Sequence, residues 1–386
     1  TCLDCARHER TKGKDYHSRT NRYDGAMRKL ILSLAAPLAA LIATPSHAED
    51  WQKRSAERDV TLKGFRFSTG ETMDLRLHVT TLGTPRRGAD GKINNAVMVL
   101  HGTGGSGWQF FRPQFADELF GKGQPLDISK YYVILPDNIG HGKSSKPSDG
   151  MKMAFPRYAY GDMVTAQQRM LTEGLGVDRL ELILGTSMGC MHAFVWGTEH
   201  PGFARRLAPF ACNAMEIAGR NRMWRQMSID AIKADPLWNG GNYTASPESG
   251  LRTARYLSMI AGGNPVALQD QYPTRIKAEK YLAEAYEARA KGDLDANDQI
   301  YQLDSSRDYN PEARLKAITV PVLWVNSGDD FINPPELAMA QKHAKRMKQA
   351  RFILLPATRE TKGHGTHTWA KFWKKDLARL LATKAP

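Results

Sequence analysis

The run Leu182-Ile183-Leu184-Gly185-Thr186-Ser187-Met188-Gly189 carries the strongest chemical signal in the chain. An apolar stretch enters a G-x-S-x-G turn and a helical pattern leaves it, which is the setting a nucleophilic serine needs. The two glycines remove side chains where strand and helix crowd together, so the turn lifts the Ser187 hydroxyl clear of both. A serine hydroxyl is a weak nucleophile, and it needs a base oriented by a third group. Both are available downstream, each in a loop after a late apolar run. Pro321–Val325 runs into Asn326-Ser327-Gly328-Asp329-Asp330-Phe331-Ile332-Asn333-Pro334, where Asp329 and Asp330 compete for the orienting role. Arg351–Leu355 leads to Gly363-His364-Gly365-Thr366-His367, two histidines for one base. The glycines around His364 give it the freer loop, whereas His367 lies nearer the last helical pattern, 368–381. We favour His364, which leaves His367 as a packing or substrate-side histidine. Two histidines three apart also raise a metal site, but no HExxH pattern or acidic cluster accompanies them. No metal is expected.

The anion formed when serine attacks a carbonyl must meet N–H donors already in place. Met188, next after the nucleophile, supplies one backbone donor. The other belongs to the loop after Ala96–Leu100, which reads His101-Gly102-Thr103-Gly104-Gly105-Ser106-Gly107. By position Thr103 is the second donor, with Gly104 as the fallback. The loop lacks the lysine and the glycine spacing of a phosphate cradle. His101 and His141 read as structural. Trp108, Phe110 and Phe111 follow this loop, and Trp224 and Trp238 lie farther along. Gly104, Trp108, Trp224 and Trp238 are therefore candidate substrate contacts, although aromatics in such places more often form a core.

These residues need a frame. Apolar runs at Val60–Phe67, Leu75–Leu82, Ala96–Leu100, Tyr132–Leu135, Leu180–Leu184, Arg206–Ala211, Pro321–Val325 and Arg351–Leu355 read as strands. Helical patterns such as Tyr158–Leu175 and Met188–His200 lie between them, so the fold class is α/β. The sheet is mostly parallel and doubly wound, because the later runs are apolar on both faces. The first two runs alternate, as an antiparallel edge hairpin does. From 215 to 315 no buried strand is evident, only helical patches at Asn221–Ala234, Gly250–Ile260 and Arg275–Lys291. A structureless loop of that length is implausible, so 215–315 reads as an inserted helical cap. The core is then 49–214 with 316–386.

Of the 386 residues 24% are charged, with a formal net charge of +14. The basic residues are scattered and no nucleic-acid motif is present, so the charge reads as a solvated surface. Arg28-Lys29, an apolar run from Leu30 to Ile42 and the small-residue site Ser46-His47-Ala48 form a signal-peptide pattern over 27–48. The run is too short to span a bilayer. We expect a periplasmic or secreted protein without a membrane anchor after cleavage, and we read 1–26 as upstream of the start. Cys2 and Cys5 fall in that part. For Cys190 and Cys212 the expectation is two buried free thiols.

The blocks Phe155-Pro156, Asp162-Met163-Val164, Ala166-Gln167, Leu175-Gly176-Val177 and Gly185–Gly189 resemble the homoserine O-acetyltransferase family. So do Leu294-Asp295-Ala296-Asn297, Asp308-Tyr309-Asn310-Pro311 and Asp330-Phe331-Ile332-Asn333-Pro334-Pro335. The resemblance covers most of 60–380. It implies an α/β-hydrolase fold of about eight strands, an acyl-serine mechanism and a helical cap over the site. That fold's acid-loop spacing, Gly-x-Asp-x-x-x-Pro, selects Gly328, Asp330 and Pro334, leaving Asp329 as a solvated turn residue. The chain departs from the family after the catalytic Gly-His. There Gly365 replaces an Asp associated with the amine of the amino-acid substrate. With the export signal, this favours an exported serine esterase acting on a small acyl substrate. The alternative is an O-acyltransferase using an acyl-CoA donor. Neither needs a bound cofactor, and a homodimer is one assembly open to it.

Overall fold

A computed structural model describes residues 50–290 and 294–384. The expected signal at 27–48, the stretch 1–26 and its two cysteines lie outside the described residues. The strands are β1 (Ser55–Arg66), β2 (Thr72–Leu82), β3 (Ala96–Leu100), β4 (Tyr132–Pro136), β5 (Leu182–Thr186), β6 (Leu207–Phe210), β7 (Val322–Ser327) and β8 (Ala350–Leu355). Among the described residues they form one sheet in the order β1-β2-β4-β3-β5-β6-β7-β8. β1–β2 and β2–β4 pair antiparallel, and the remaining pairs are parallel. This is an α/β-hydrolase fold.

Alternation within the strands explains why the central ones are apolar throughout. Met98, Leu100, Ile134 and Ile183 join one apolar cluster, while Val97, Val99, Val133, Leu135, Leu182 and Leu184 join another. Successive side chains point to opposite faces, so a strand that supplies both clusters cannot spare a polar position. Packed around the sheet are α1 (Pro113–Leu119), α2 (Tyr160–Arg169) and α3 (Met188–Glu199).

The interval between β6 and β7 holds α4 (Gly219–Ala234), α5 (Glu248–Gly262), α6 (Pro265–Gln271), α7 (Arg275–Ala290) and α8 (Ala296–Asp304). The chain then closes with α9 (Met339–Ala344) and α10 (Lys374–Leu381). The interval has an apolar cluster of its own, including Ile229, Ile232, Leu251, Ala254, Ile300 and Leu303. Sequence patterns gave α4, α5 and α7 but not α6 or α8, which are short. Each of those two starts on a side-chain cap, Asn264 accepting from Ala267 N–H and Asp295 from Asp298 N–H. Such caps contribute about 1 kcal/mol each, which matters most to a short helix. The expected final helix over 368–381 is instead 3-10 turns followed by α10.

The free-thiol expectation is corrected. Cys190 and Cys212 form a disulfide, with 5.9 Å between their Cα atoms. Cys190 lies in the first turn of α3, and Cys212 stands just past β6, the neighbour of β5 in the sheet. Packing α3 against both strands brings the two cysteines together, which no spacing in the sequence reveals. Among the described residues, no helix is long and apolar enough to cross a membrane. Nor is there a group of three or more His, Cys, Asp or Glu arranged to hold a metal ion.

Candidate active site

β5 ends at Thr186 and α3 begins at Met188, leaving Ser187 alone to make the turn. Its φ of +54° with ψ of −110° is a conformation non-glycine residues seldom adopt. The flanking glycines make it feasible. A Cβ on Gly185 would fall 1.9 Å from the Gly189 carbonyl oxygen, and one on Gly189 would fall 2.3 Å from that of Leu100. The strained turn is held by Ser187 N–H donating to Phe210 O at 2.9 Å and Gly189 N–H to His101 O at 3.0 Å.

The loops after β5, β7 and β8 converge. His364 Nε2 lies 2.8 Å from Ser187 Oγ, and His364 Nδ1 lies 2.9 Å from Asp330 Oδ2. With Nδ1 donating to the carboxylate, Nε2 is left to accept the serine proton. Asp330 is buried and richly supplied with donors. Ile332 N–H and Asn333 N–H reach Oδ1 at 2.8 and 3.0 Å, and Asn333 Nδ2 reaches Oδ2 at 3.2 Å. Burial pushes its carboxyl up, but the His364 charge and the hydrogen bonds from His364 and Asn333 outweigh it. The net shift is below the usual carboxylate value.

The two competitors have other work. Asp329, expected as a solvated turn residue, is not one. Its Oδ2 accepts from the Thr361 hydroxyl at 2.7 Å and Gly363 N–H at 2.9 Å, while Ser327 donates to Oδ1. It ties the histidine loop to the acid loop, a role that depends on contacts remote in sequence. His367 packs edge-on against His364, with ring centroids 5.0 Å apart, and its Nδ1 donates to the His364 carbonyl. Burial, then the nearby His364 charge, pushes its pKa down to about 3, so it stays neutral.

The loop from His101 closes on the nucleophile. A Cβ on Gly102 would sit 3.2 Å from Ser187 Cβ. His101 Nε2 accepts from Asn138 N–H at 3.1 Å, which leaves Nδ1 to donate to Gly102 O at 2.8 Å. Burial lowers the His101 pKa and keeps the ring neutral. Fixing the Gly102 carbonyl fixes the whole planar peptide, and with it the direction of Thr103 N–H. Gly104 meets α8 of the β6–β7 interval, since a Cβ there would lie 3.6 Å from Gln302 Oε1.

The aromatic candidates divide. Trp108 is 37% exposed, stacked edge-on with Phe111 and lying under Lys143, so it is a surface residue. Trp238 packs on the apolar cluster of the β6–β7 interval and donates to Asn297 Oδ1 at 2.9 Å. Trp224 also packs on that cluster, yet its indole N–H is buried without a partner. It belongs to a group of which sequence reading found Trp224 and Thr103 but missed Tyr160 and Arg225. The Thr103 hydroxyl, the Tyr160 phenol and Arg225 Nη1 are likewise buried without a close, well-aligned hydrogen bond, their nearest polar neighbours being one another. Tyr160 sits between Thr103 and Arg225, and Arg225 stacks near Trp224. Burial pushes the Arg225 guanidinium down, and the Arg222 charge beside it adds to the repulsion. Its Nε bonds Asn221 at 2.9 Å, a neutral partner. An arginine in a polar helix reads as surface from sequence, and only tertiary contacts bury it.

A family model described as alpha/beta hydrolase fold matches residues 95–360, well over half of the chain. The chain belongs to the α/β-hydrolase-fold family. It is 33% identical over 259 residues to a homoserine O-acetyltransferase of Solidesulfovibrio magneticus, a match over 58% of this chain and 63% of that relative. The chain thus spans less than two thirds of that enzyme. Among solved structures, a homoserine O-acetyltransferase of Bacillus anthracis superposes with a TM-score of 0.75 at 21% identity. The match covers 86% of this α/β-hydrolase and 99% of that chain. An acetylester hydrolase of Corynebacterium glutamicum gives 0.73 at 20% identity, covering 85% and 96%. At these identities the likeness is one of fold.

Proposed function

We propose that this protein passes an acyl group through Ser187 to the hydroxyl of a small alcohol that bears a carboxylate. The relay from Ser187 through His364 to Asp330 carries the reading, because it is the arrangement that makes a serine hydroxyl attack an acyl carbon. Ser187 Oγ bonds to the acyl carbon as His364 Nε2 takes its proton. Thr103 and Met188 N–H groups hold the oxyanion, and the proton returns to the leaving group as the acyl-serine forms. The acceptor hydroxyl then attacks, giving its proton to His364, and the new ester leaves as Ser187 recovers that proton. Arg225 supports the choice of acceptor, since a buried cation without a carboxylate suits an anionic ligand group. The relatives' names favour acyl transfer, so transfer, with the acyl-CoA donor considered for it above, takes the first place that hydrolysis held on sequence grounds.

A second reading, hydrolysis, is favoured by Gly365, which leaves no carboxylate for an acceptor amine. One experiment separates them. Thiol release from acetyl-CoA is followed with and without homoserine or a hydroxy acid of similar length, with mass spectrometry of the Ser187 peptide. Acceptor-dependent release is expected. Acyl-Ser187 that turns over at the same rate without any acceptor selects hydrolysis, and no acyl-Ser187 from thioester or ester donors rejects both. Export remains part of the proposal. The Cys190–Cys212 disulfide suits an oxidising compartment. Expression from Met27 in a Gram-negative host should yield a periplasmic protein beginning at Glu49, and cytosolic protein retaining Met27 would overturn it.

A further inference from the structure

We infer that Asn264, which belongs to the cap, is a positioning residue for His364 and aligns the base only while the cap is seated. This rests on His364 being the base in the function proposed above. Asn264 is the N-cap of α6, its side-chain oxygen accepting from Ala267 N–H at 2.9 Å. Its amide nitrogen reaches out of the cap altogether. It donates to Asp329 Oδ2 at 2.7 Å and to the Thr361 carbonyl at 2.8 Å, and lies 3.2 Å from the Thr358 carbonyl. The residue is buried, so water cannot substitute for these bonds without entering the joint.

The partners explain why this bears on catalysis. Asp329 is the neighbour of Asp330, and its Oδ2 also accepts from the Thr361 hydroxyl and from Gly363 N–H, the residue before His364. One carboxylate oxygen therefore cross-links the loops that carry the acid and the base, and the cap supplies its third donor. The fit is close. Gly363 has φ of +58°, and a Cβ there would lie 2.6 Å from the carbonyl oxygen of Gly263, next to Asn264 in the cap. The backbone of the histidine loop thus lies directly against the α5–α6 link. Moving the cap away withdraws the Asn264 amide from Asp329 and strips the Thr361 carbonyl of its donor. The loop can then relax, and His364 loses its register with Ser187. An acyl-serine would be attacked only beneath a closed cap, which is the state that excludes bulk water.

The test uses the full chain and p-nitrophenyl acetate. Asn264→Asp keeps the oxygen that caps α6 but sets a second carboxylate against Asp329. Its kcat should fall at least tenfold or so with KM held within about threefold, as misplacing a base by a fraction of an ångström predicts. Adding Asp329→Asn restores a donor–acceptor pair in reverse and should recover roughly tenfold of the loss. If Asn264→Asp does not fold, Thr361 serves instead. Thr361→Ala removes the hydroxyl that bridges to Asp329 and should lose about tenfold in kcat, whereas Thr361→Ser should stay within about threefold of the parent. Equal kcat in Thr361→Ala and Thr361→Ser overturns the inference, as does Asn264→Asp within about threefold of the parent. Ser187→Ala is the control for the underlying reading. If it retained turnover, the proposed function itself would fall, whatever Asn264 did.

Discussion

Asp330 and Arg225 are both buried charges of the site, and the protein treats them in opposite ways. Asp330 meets His364, Ile332, Asn333 and a second Asn333 donor, so its negative charge is answered before any substrate arrives. Arg225 meets a phenol, an asparagine and another arginine, and one of its nitrogens has no partner. An unanswered buried charge costs several kcal/mol, which a fold keeps only where something later offsets it. The relay is therefore finished machinery, whereas in the proposed function the Thr103–Tyr160–Trp224–Arg225 wall is the side that the anionic group of a ligand completes. The former sets what reaction occurs, and the latter sets on what.

Damage to the relay should be general. Ser187→Ala, His364→Ala and Asp330→Asn should each lower kcat/KM by about 10³-fold or more for every donor and acceptor, with little further loss when combined. Steady-state kinetics on an ester panel checks this. A fully active Asp330→Asn would move the acid to Asp329, and a dead His367→Ala beside an active His364→Ala would reverse the histidine assignment.

Damage to the wall should be selective. Arg225→Leu should raise KM for carboxylate-bearing substrates by roughly 10–100-fold, the scale of a hydrogen bond to a charged group. Turnover of a neutral acetate ester should change by no more than about threefold. Thermal stability should not fall, because an unpaired buried charge has been removed. Equal losses on charged and neutral substrates would show that Arg225 supports the fold rather than the ligand.

The same contrast explains what the sequence made legible. The relay is built from local signals: a G-x-S-x-G turn between strand and helix, an acid after β7, and a histidine after β8. Their order and their flanking glycines point to Ser187, His364 and one of the pair Asp329 and Asp330, and the acid-loop spacing of the resembling family selects Asp330. The eight strands are legible for a related reason, since burial on both faces makes each central strand an unbroken apolar run. The wall is built from contacts distant in sequence. Nothing around Arg225 marks it as buried, because α4 is polar along most of its length, and Tyr160 opens α2 beside Gly161 and Asp162. Asp329 and the Cys190–Cys212 pair were misjudged for the same reason. Their partners come from other loops and strands.

The smallest expected effect lies where α8 meets the loop after β4, away from the chemistry. Asp298, in the first turn of α8, accepts from Ser148 N–H at 2.9 Å and from the Ser148 hydroxyl at 2.6 Å. Burial pushes its pKa up to about 6, against the lowering effect of those Ser148 bonds. A carboxyl whose folded pKa is raised holds more protons folded than unfolded. Its contribution is therefore best at low pH and is lost as pH climbs from the ordinary Asp value, 3.8, through about 6. A shift of that size corresponds to roughly 3 kcal/mol at the upper bound, and partial exposure reduces it to about 1–2 kcal/mol. Asp298→Asn keeps an oxygen for Ser148 N–H and cannot ionise. Urea unfolding at pH 4 and pH 7 should show the parent losing stability across that interval relative to the variant, by about 1–2 kcal/mol. Activity on a small neutral ester at pH 7 should stay within about twofold, because this joint touches neither the relay nor the wall. Parallel pH dependence in parent and variant would show that Asp298 titrates normally, and that the joint is held by the serine contacts alone.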